Sequence, residues 1–199
     1  MMNDITGIIL AGGQSSRFGS PKAFAEYEGR FFYEHAACAL LPHVKDIIIV
    51  SSIHDTVRFK RGERVKIISD IEKYKGKGPL AGIYSAMREV DSSWYFVLPC
   101  DMPLLDCDAA GIIASFRDDA YDAVIPEADG RFQPLAGLYN KRIKNELENQ
   151  LDSGSYRMIS LLNSIKPLII KEEQHKLHPD VFQNINDQAA LKQMIQRRK

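Results

Sequence analysis

Two adjacent glycines, Gly12 and Gly13, follow the first apolar run of the chain, and two cations, Arg17 and Lys22, come soon after them. Adjacent glycines permit a sharp turn with positive φ, in which successive backbone N–H groups point into one space and hold a phosphate. A guanidinium donates forked hydrogen bonds to phosphate oxygens, and a lysine adds a mobile point charge. The spacing matches neither the dinucleotide fingerprint nor the Walker A loop. The combination favours a phosphate-binding loop over the alternative, a plain strand-to-helix turn with exposed cations.

Asp101 follows another apolar run and lies between Pro99 and Pro103. If that run is a strand of a parallel sheet, the carboxylate lies at the edge where such sheets bind ligands. Mg²⁺ prefers few protein carboxylates together with water and substrate phosphates, so one aspartate suffices to hold it against a phosphate. The alternative is an aspartate that caps the next helix, but Asp106 and Asp108 are better placed for that role. Asp101 is therefore predicted to bind Mg²⁺, and Mn²⁺ suits the same kind of site.

Asp70 follows a third apolar run and precedes a polar stretch, 72–78, which is predicted to be a loop. A carboxylate accepts two hydrogen bonds from N1–H and the exocyclic amino group of guanine, so Asp70 could read that base. A solvated carboxylate, or one that pairs with Lys73, accounts for the same residue equally well. From the residues alone, both interpretations stay open.

Strand-like and helix-like patterns alternate along the chain. Continuous apolar runs are typical of strands that are covered on both faces, and the alternation predicts an α/β fold with a doubly wound, mostly parallel, Rossmann-like sheet. No linker, low-complexity tract or internal repeat interrupts the pattern, so one domain over 1–199 is expected. The predicted strands are 5–10, 46–50, 65–69, 94–98, 122–126, 134–139, 167–170 and 181–182. The predicted helices are 31–41, 79–90, 105–116, 141–151, 156–162 and 187–197, the last capped by Asp187.

Composition argues against several classes of protein. Lys+Arg and Asp+Glu both number 26, which gives a formal net charge of zero and disfavours a general electrostatic grip on nucleic acid or a membrane. The N-terminal segment lacks the features of a secretory signal, and the early apolar run is too short to span a bilayer. The three cysteines form no C-x-x-C pair and predict reduced, inert thiols, hence a cytoplasmic protein. His175 and His178 are expected to be surface or loop residues rather than metal ligands.

Four motifs, in order, carry a resemblance to a known family. They are the glycine-rich segment 10–22, Gly78-Pro79-Leu80-Ala81-Gly82-Ile83, Pro99-Cys100-Asp101-Met102-Pro103 and Asn184-Ile185-Asn186. The first resembles the signature of GT-A-like nucleotidyltransferases. All four together, spread over about 5–191, resemble the molybdenum cofactor guanylyltransferases, the MobA family. The resemblance implies a Mg²⁺-dependent enzyme that transfers GMP from GTP to the phosphate of molybdenum-bound molybdopterin, releasing pyrophosphate and forming the guanine dinucleotide cofactor.

The resemblance also implies roles for individual residues. The expected catalytic residues are Arg17, Lys22 and Asp101, and Asp101 is also the expected metal ligand. The expected nucleotide-binding residues are Leu10, Ala11, Gly12, Gly13, Lys22, Asp70, Gly78 and Asp101. Contacts to the acceptor are expected from Arg157, Asn184 and Asn186, for which a solvated arginine and turn asparagines are the alternatives. The domain would then consist of a nucleotide-binding half, about 1–127, and an acceptor-binding half, about 128–199.

Two other functions remain open on the sequence. A cytidylyltransferase of the same superfamily would use the same chemistry with CTP and make the cytosine dinucleotide. A non-catalytic carrier of the pterin cofactor belongs to another class, and the joint presence of Arg17, Lys22 and Asp101 argues against it. Transient docking to other proteins of the molybdenum cofactor pathway is a further expectation, whereas nucleic acid and membranes are not expected partners.

Overall fold

The computed structural model describes residues 4–13, 18 and 20–197. Its strands are β1 (Ile5–Leu10), β2 (Glu26–Tyr27), β3 (Arg30–Phe31), β4 (Asp46–Val50), β5 (Val65–Ile68), β6 (Trp94–Pro99), β7 (Ala123–Ala128), β8 (Arg131–Phe132), β9 (Gly137–Asn140) and β10 (Pro167–Ile170). Its helices are α1 (Phe32–Leu40), α2 (Pro79–Glu89), α3 (Cys107–Ser115), α4 (Lys144–Asp152), α5 (Met158–Ser164), α6 (Glu172–His175) and α7 (Gln188–Arg197). Within these ranges no helix has both the length and the apolar character needed to cross a membrane.

A mixed sheet forms the centre of the molecule. Over the described residues its strand order is β10-β7-β9-β6-β1-β4-β5, with β8 paired to β7. β1 lies between β4 and β6 and is parallel to both, and β5 continues the parallel order beyond β4. β9 runs antiparallel between β6 and β7, whereas β10 pairs with β7 in parallel. The prediction of an α/β fold with a mostly parallel sheet is therefore confirmed, with β9 as an antiparallel insertion.

The central strands consist of continuous apolar runs because both faces of the sheet are covered. In β6, Trp94, Phe96 and Leu98 belong to one layer of the core, and Tyr95 and Val97 belong to the other. Successive side chains of a strand point to opposite faces, so a strand between two layers needs apolar residues at every position. α1 packs with α3 on the first side, and α2 packs with α4 on the second. This arrangement brings the carboxyl ends of β1, β4, β5 and β6 to one edge.

Local hydrogen bonds set the helix boundaries. α3 begins two residues later than predicted because Asp106 is its N-cap, accepting a hydrogen bond from the Ala109 N–H at 2.9 Å. The predicted helix 141–151 begins as a 3₁₀ turn, Lys141–Ile143, before α4. Asp187 accepts a hydrogen bond from the Ala190 N–H at 2.8 Å and so caps α7 as predicted. Side-chain acceptors at these positions satisfy N–H groups that the helix itself leaves unbonded.

Two expectations about the C-terminal part of the chain are wrong. Residues 181–182 are not a strand but belong to a 3₁₀ turn, Pro179–Phe182, in which Phe182 is buried. His175 is not a surface residue but is 2% exposed. Its Nδ1 accepts a hydrogen bond from the Leu177 N–H, so Nε2 carries the proton and donates to the Glu127 carbonyl at 2.9 Å. Both errors arise because long-range packing against the sheet, which short local patterns do not reveal, decides burial here.

Gly137 provides a test of how closely β9 approaches its neighbour. A Cβ atom at Gly137 would lie 2.6 Å from the Val124 carbonyl oxygen and 2.9 Å from Cδ1 of Ile125. Backbone must therefore shift, and we expect Gly137→Ala to lower the free energy of unfolding by about 1–3 kcal/mol. Urea denaturation measures the change. Gly62→Ala is the matched control, because its nearest new contact is an ordinary 3.7 Å to Val65. Equal stabilities of the two variants would contradict this account.

Candidate active site

The turn after β1 presents glycine backbone at the carboxyl edge of the sheet. The Ala11 N–H donates to the Val50 carbonyl at 2.8 Å, and the Cys100 N–H donates to the Leu10 carbonyl at 3.1 Å. These bonds fix the end of β1 between β4 and β6. Beyond them the chain is exposed at Gly12 and Gly13, and Gly13 has a φ of +133°, which confirms the predicted positive-φ turn. Arg17 lies outside the described residues.

Lys22 is positioned by a 3₁₀ turn, Lys22–Phe24, which follows Pro21. Ala23 in this turn is 1% exposed. The ring of Phe24 lies 4.7 Å from that of Phe59, centroid to centroid, and the guanidinium of Arg58 lies 4.0 Å above it. Two of the three residues of the turn are thus packed against the protein, so the third, Lys22, has a defined backbone position from which its side chain extends.

Lys22, Asp101 and Asn186 meet at this edge. The Lys22 Nζ donates to Oδ2 of Asp101 at 3.0 Å and to Oδ1 of Asn186 at 2.7 Å. The side chains of Lys22 and Asp101 are 21% and 19% exposed, so solvent screens their attraction less than it would at an open surface. The Ile185 N–H donates to the Asp101 carbonyl at 2.8 Å, and Ile185 is fully buried. The segment that carries Asn186 is therefore fastened to the residue that carries the carboxylate.

Asp101 fits a magnesium ion that takes most of its ligands from substrate. Its contact with Lys22 uses Oδ2, so Oδ1 can still act as a ligand. Among the residues that the structure describes, no three His, Cys, Asp or Glu side chains group in a way that could hold a metal ion. A single carboxylate beside a phosphate-binding turn suits Mg²⁺, which keeps several waters and binds phosphate oxygens. Such a donor set holds the ion only weakly without substrate.

Cys100 stands next to this carboxylate but is not a nucleophile. Burial, with a smaller contribution from the charge of Asp101, raises the pKa of Cys100 to about 12. The thiol is therefore neutral at physiological pH, and a neutral thiol is a poor nucleophile and a poor metal ligand. Cys38, Cys100 and Cys107 are all free thiols, as predicted.

Asp70 follows β5 at the same edge, and its carboxylate is partly buried. Oδ2 accepts a hydrogen bond from the Gly76 N–H at 3.1 Å, and a Cβ atom at Gly82 would lie 3.8 Å from Oδ1. Burial raises the pKa of Asp70 above its ordinary value of 3.8, and the bond from Gly76 acts in the opposite direction. Lys73 does not pair with Asp70, because its ammonium group lies 2.7 Å from Asp152. A carboxylate held this way keeps lone pairs for a donor that arrives from solvent.

The stretch 72–78 is more ordered than a polar loop. It contains a 3₁₀ turn, Glu72–Tyr74, in which Tyr74 is 3% exposed. Gly78 precedes α2 as its N-cap residue, with a φ of +79°, and Pro79 is the first residue of the helix. The stretch therefore leads from Asp70 to the start of α2 along a path that Tyr74 anchors in the core. Sequence reasoning missed this role of Tyr74, although an aromatic residue within a polar stretch was a usable signal.

The residues expected to contact an acceptor are dispersed. Asn186 joins Lys22 directly, whereas Asn184 is exposed two residues earlier. Arg157 is exposed at the residue before α5, and its neighbour Tyr156 lies under the Lys77 ammonium, 5.1 Å from ring centroid to Nζ. The hydrogen bonds that join Lys22, Asp101 and Asn186 include neither Arg157 nor Asn184. Asn186 is thus placed to orient a cation, and Tyr156, the residue before Arg157, contacts Lys77 of the stretch 72–78.

The sequence is similar to those of known proteins. A protein of Geobacillus sp. (strain WCH70) named "probable molybdenum cofactor guanylyltransferase" is 44% identical over 187 residues, which are 93% of this chain and 95% of that protein. A protein of Halalkalibacterium halodurans with the same name is 38% identical over 185 residues, 92% of this chain and 93% of its own.

Solved structures show the same fold. Molybdopterin-guanine dinucleotide biosynthesis protein A from Archaeoglobus fulgidus has a TM-score of 0.76 at 22% identity, covering 98% of this chain and 100% of its own. The inositol-1-phosphate CTP transferase from T. maritima has a TM-score of 0.69 at 12% identity, covering 96% and 93%. Residues 7–168 match the family model described as MobA-like NTP transferase domain. On this match and on the identity to its relatives, the chain belongs to the family of MobA-like NTP transferases.

Proposed function

We propose that the protein transfers GMP from GTP to the phosphate of molybdenum-bound molybdopterin, forming the guanine dinucleotide cofactor and releasing pyrophosphate. The observation that carries this proposal is the contact of Lys22 with Asp101 and Asn186 beside the glycine turn, in a chain 44% identical to a protein named as such a transferase. Over the described residues the site joins the cation of Lys22, exposed glycine backbone and one carboxylate. This is the set that a nucleotidyl transfer requires, because the reaction concentrates negative charge at a phosphate.

The residues act by binding and by charge stabilisation. The backbone of Ala11, Gly12 and Gly13, at the end of β1 after Leu10, holds the triphosphate. Lys22 and Arg17 offset the charge that develops on the departing pyrophosphate, and Asn186 keeps the Lys22 ammonium in place. The phosphate of the acceptor attacks the α-phosphorus and needs no general base, since a phosphate monoester with a second pKa of about 6 is already ionised. Catalysis then rests on positioning and on charge complementarity.

Asp101 is the proposed ligand of a divalent cation, Mg²⁺ or Mn²⁺. When bound, such an ion neutralises charge on the phosphate oxygens. The side chain of Asp101 contributes Oδ1 for this purpose, while its Oδ2 holds Lys22. The carboxylate therefore orders both cationic elements of the site.

Asp70 is the proposed reader of the guanine base, with Gly78 closing the stretch that lies over it. Its carboxylate accepts hydrogen bonds from N1–H and the exocyclic amino group of guanine, a donor pair that cytosine and adenine do not present. The raised pKa of Asp70 supports a carboxylate kept partly out of water, where hydrogen bonds discriminate well. The proposed nucleotide-binding half is about 1–127, and the proposed acceptor-binding half is about 128–199. The acceptor-binding half contains Arg157, Asn184 and Asn186.

Two alternatives remain to be tested against this proposal. The fold is shared with a CTP transferase, so fold alone does not choose the base. A carrier of the pterin cofactor would need no ordered pairing of Lys22 with Asp101. We place the reaction in the cytoplasm, where three reduced thiols are ordinary, and expect transient docking to other proteins of the cofactor pathway.

The proposed reaction is tested by pyrophosphate release with GTP, CTP, ATP and UTP in turn, each with Mg²⁺ and molybdenum-loaded molybdopterin. We expect release with GTP alone, because only guanine presents two adjacent donors to Asp70. Release with CTP would identify a cytidylyltransferase. No release with any nucleotide, from folded protein, would favour the carrier.

The three joined side chains are tested by truncation. We expect Lys22→Ala and Asp101→Ala to lower kcat/KM by about 100- to 1,000-fold, as loss of a transition-state charge partner does. Asn186→Ala should lower it by about tenfold, because one hydrogen bond to a charged group is lost. Steady-state kinetics measure these values. Lys141→Ala is the matched control, since Lys141 follows β9 and lies 3.9 Å from Asp91 before β6, at the opposite edge of the sheet. Full activity of Lys22→Ala would refute its role.

We expect Asp70→Asn to raise stability at pH 7 and to lower the preference for GTP. Between the ordinary value of 3.8 and the raised pKa, the folded protein binds more protons than the unfolded chain, so stability falls as pH rises through that window. The ionised carboxylate therefore lowers stability at pH 7, and Asp70→Asn should raise the urea midpoint there. The gain should shrink as pH is lowered towards 3.8. Preference for GTP over ATP should fall about tenfold or more, because the amide presents a donor to guanine donors. A lower midpoint at pH 7 would contradict this interpretation.

A further inference from the structure

The stretch 71–78 determines what surrounds the carboxylate of Asp70. It begins directly after that residue and ends at Gly78, before α2. Within it, the Tyr74 N–H donates to the Ile71 carbonyl at 3.0 Å, and the Lys77 N–H donates to the Tyr74 carbonyl at 3.0 Å. These bonds fold the stretch into consecutive turns, which we call the base loop. The Gly76 N–H, which bonds Asp70, lies inside the second turn.

The first anchor of the base loop is at the last residue of α4. The hydroxyl of Tyr74 donates to Oδ1 of Asp152 at 2.6 Å, and the Lys73 Nζ lies 2.7 Å from the same oxygen. The Tyr74 ring packs edge-on against Tyr84 of α2 at 5.5 Å. The hydrogen bond from Lys73, and to a smaller extent that from Tyr74, holds the pKa of Asp152 below its usual value. This residue is therefore ionised at neutral pH. One carboxylate thus holds two consecutive residues of the base loop.

The second anchor of the base loop is Tyr156, four residues after Asp152. Lys77 of the base loop places its Nζ 5.1 Å from the ring centroid of Tyr156, a cation–π contact. Asp152 directly precedes the short connection 153–157 between α4 and α5, and Tyr156 lies within it. Gly76 therefore lies between two anchored positions, Tyr74 and Lys77, and the direction of its N–H depends on both.

The Asp152 contacts constrain the loop more than they support the fold. The side chains of Lys73 and Asp152 are 59% and 49% exposed, and exposed ion pairs contribute little to global stability. Tyr74 stays buried against Tyr84 through its ring, whether or not its hydroxyl is bonded. Loss of Asp152 should therefore free the loop without unfolding the protein.

We propose that Asp152 is a positioning residue for the nucleotide: it holds the base loop through Lys73 and Tyr74, so that the Gly76 N–H orients the carboxylate of Asp70 towards the base. This inference rests on the proposed function. It makes base selection depend on a residue of the proposed acceptor-binding half that does not itself touch the nucleotide. Arg157, a proposed acceptor-binding residue, is the last residue of the same connection, so it lies in the short segment that also carries the second anchor of the base loop.

Asp152→Ala and Asp152→Asn test the proposal. For Asp152→Ala we expect a fivefold to tenfold rise, roughly, in KM for GTP and a similar fall in selectivity for GTP over ATP, with kcat nearly unchanged. Asp152→Asn keeps an acceptor for Tyr74 but loses the charge that holds Lys73, so an intermediate effect is expected. Glu89→Ala is the matched control, since Glu89 is likewise the last residue of its helix and pairs with Lys66.

Amide hydrogen exchange supplies a readout that is independent of catalysis. In Asp152→Ala the amides of Gly76 and Lys77 should exchange faster, while those of β1 and β6 remain protected. Unchanged exchange at Gly76 would show that Asp152 does not hold the loop. Faster exchange with an unchanged dissociation constant and unchanged selectivity for GTP would show that the loop does not position the nucleotide. Failure of the wild-type protein to bind GTP would instead overturn the proposed function, and this inference with it.

Discussion

Lys22 places one ammonium group 3.0 Å from a carboxylate and 2.7 Å from a side-chain amide oxygen, and so joins three separate segments of the chain. The contact depends on three independent supports. An aromatic cluster around Phe24 fixes the turn, the end of β6 fixes Asp101, and the buried side chain of Ile185 fixes the segment with Asn186. Two hydrogen bonds restrict the position of the ammonium group, so its charge stays at a place where it can bind a phosphate. The glycine turn and Asp70 lie at the same edge, and this fixed charge is what makes that edge a candidate nucleotide site.

The sheet makes the arrangement possible because its parallel strands end together. β1, β4, β5 and β6 run in one direction, so the residues that follow them gather at one edge without long connections. Helices on both faces bury the central strands, whereas Gly12 and Gly13, just beyond the carboxyl end of β1, are exposed. The antiparallel strand β9 then extends the sheet towards β7 and β10. The residues of the second half reach the edge through α4, α5 and the segment before α7.

Continuous apolar runs predict β1, β4 and β6 correctly, because a strand covered on both faces shows its environment in its own residues. The positions of the turn at Gly12 and Gly13 and of Asp101 at the carboxyl edge of the sheet are predictable for a similar reason, since each comes soon after such a run. Burial of Tyr74 and His175 is not predictable in this way, because their partners Asp152 and Glu127 lie far along the chain. The pairing of Lys73 with Asp152, in place of the nearby Asp70, has the same origin. Position in three dimensions, rather than spacing in sequence, decides these contacts.

The hydrogen bond between Lys22 and Asn186 spans 164 positions of the chain. Contacts at such separation form late, since a long loop must close before they stabilise anything. During synthesis the glycine turn and the first strands leave the ribosome well before Asn186 is made. A nascent chain can therefore assemble much of its sheet while the site still lacks one of its parts. The finished site thus requires translation to proceed beyond residue 186, and nucleotide cannot meet the full arrangement of charges before Asn186 has been made.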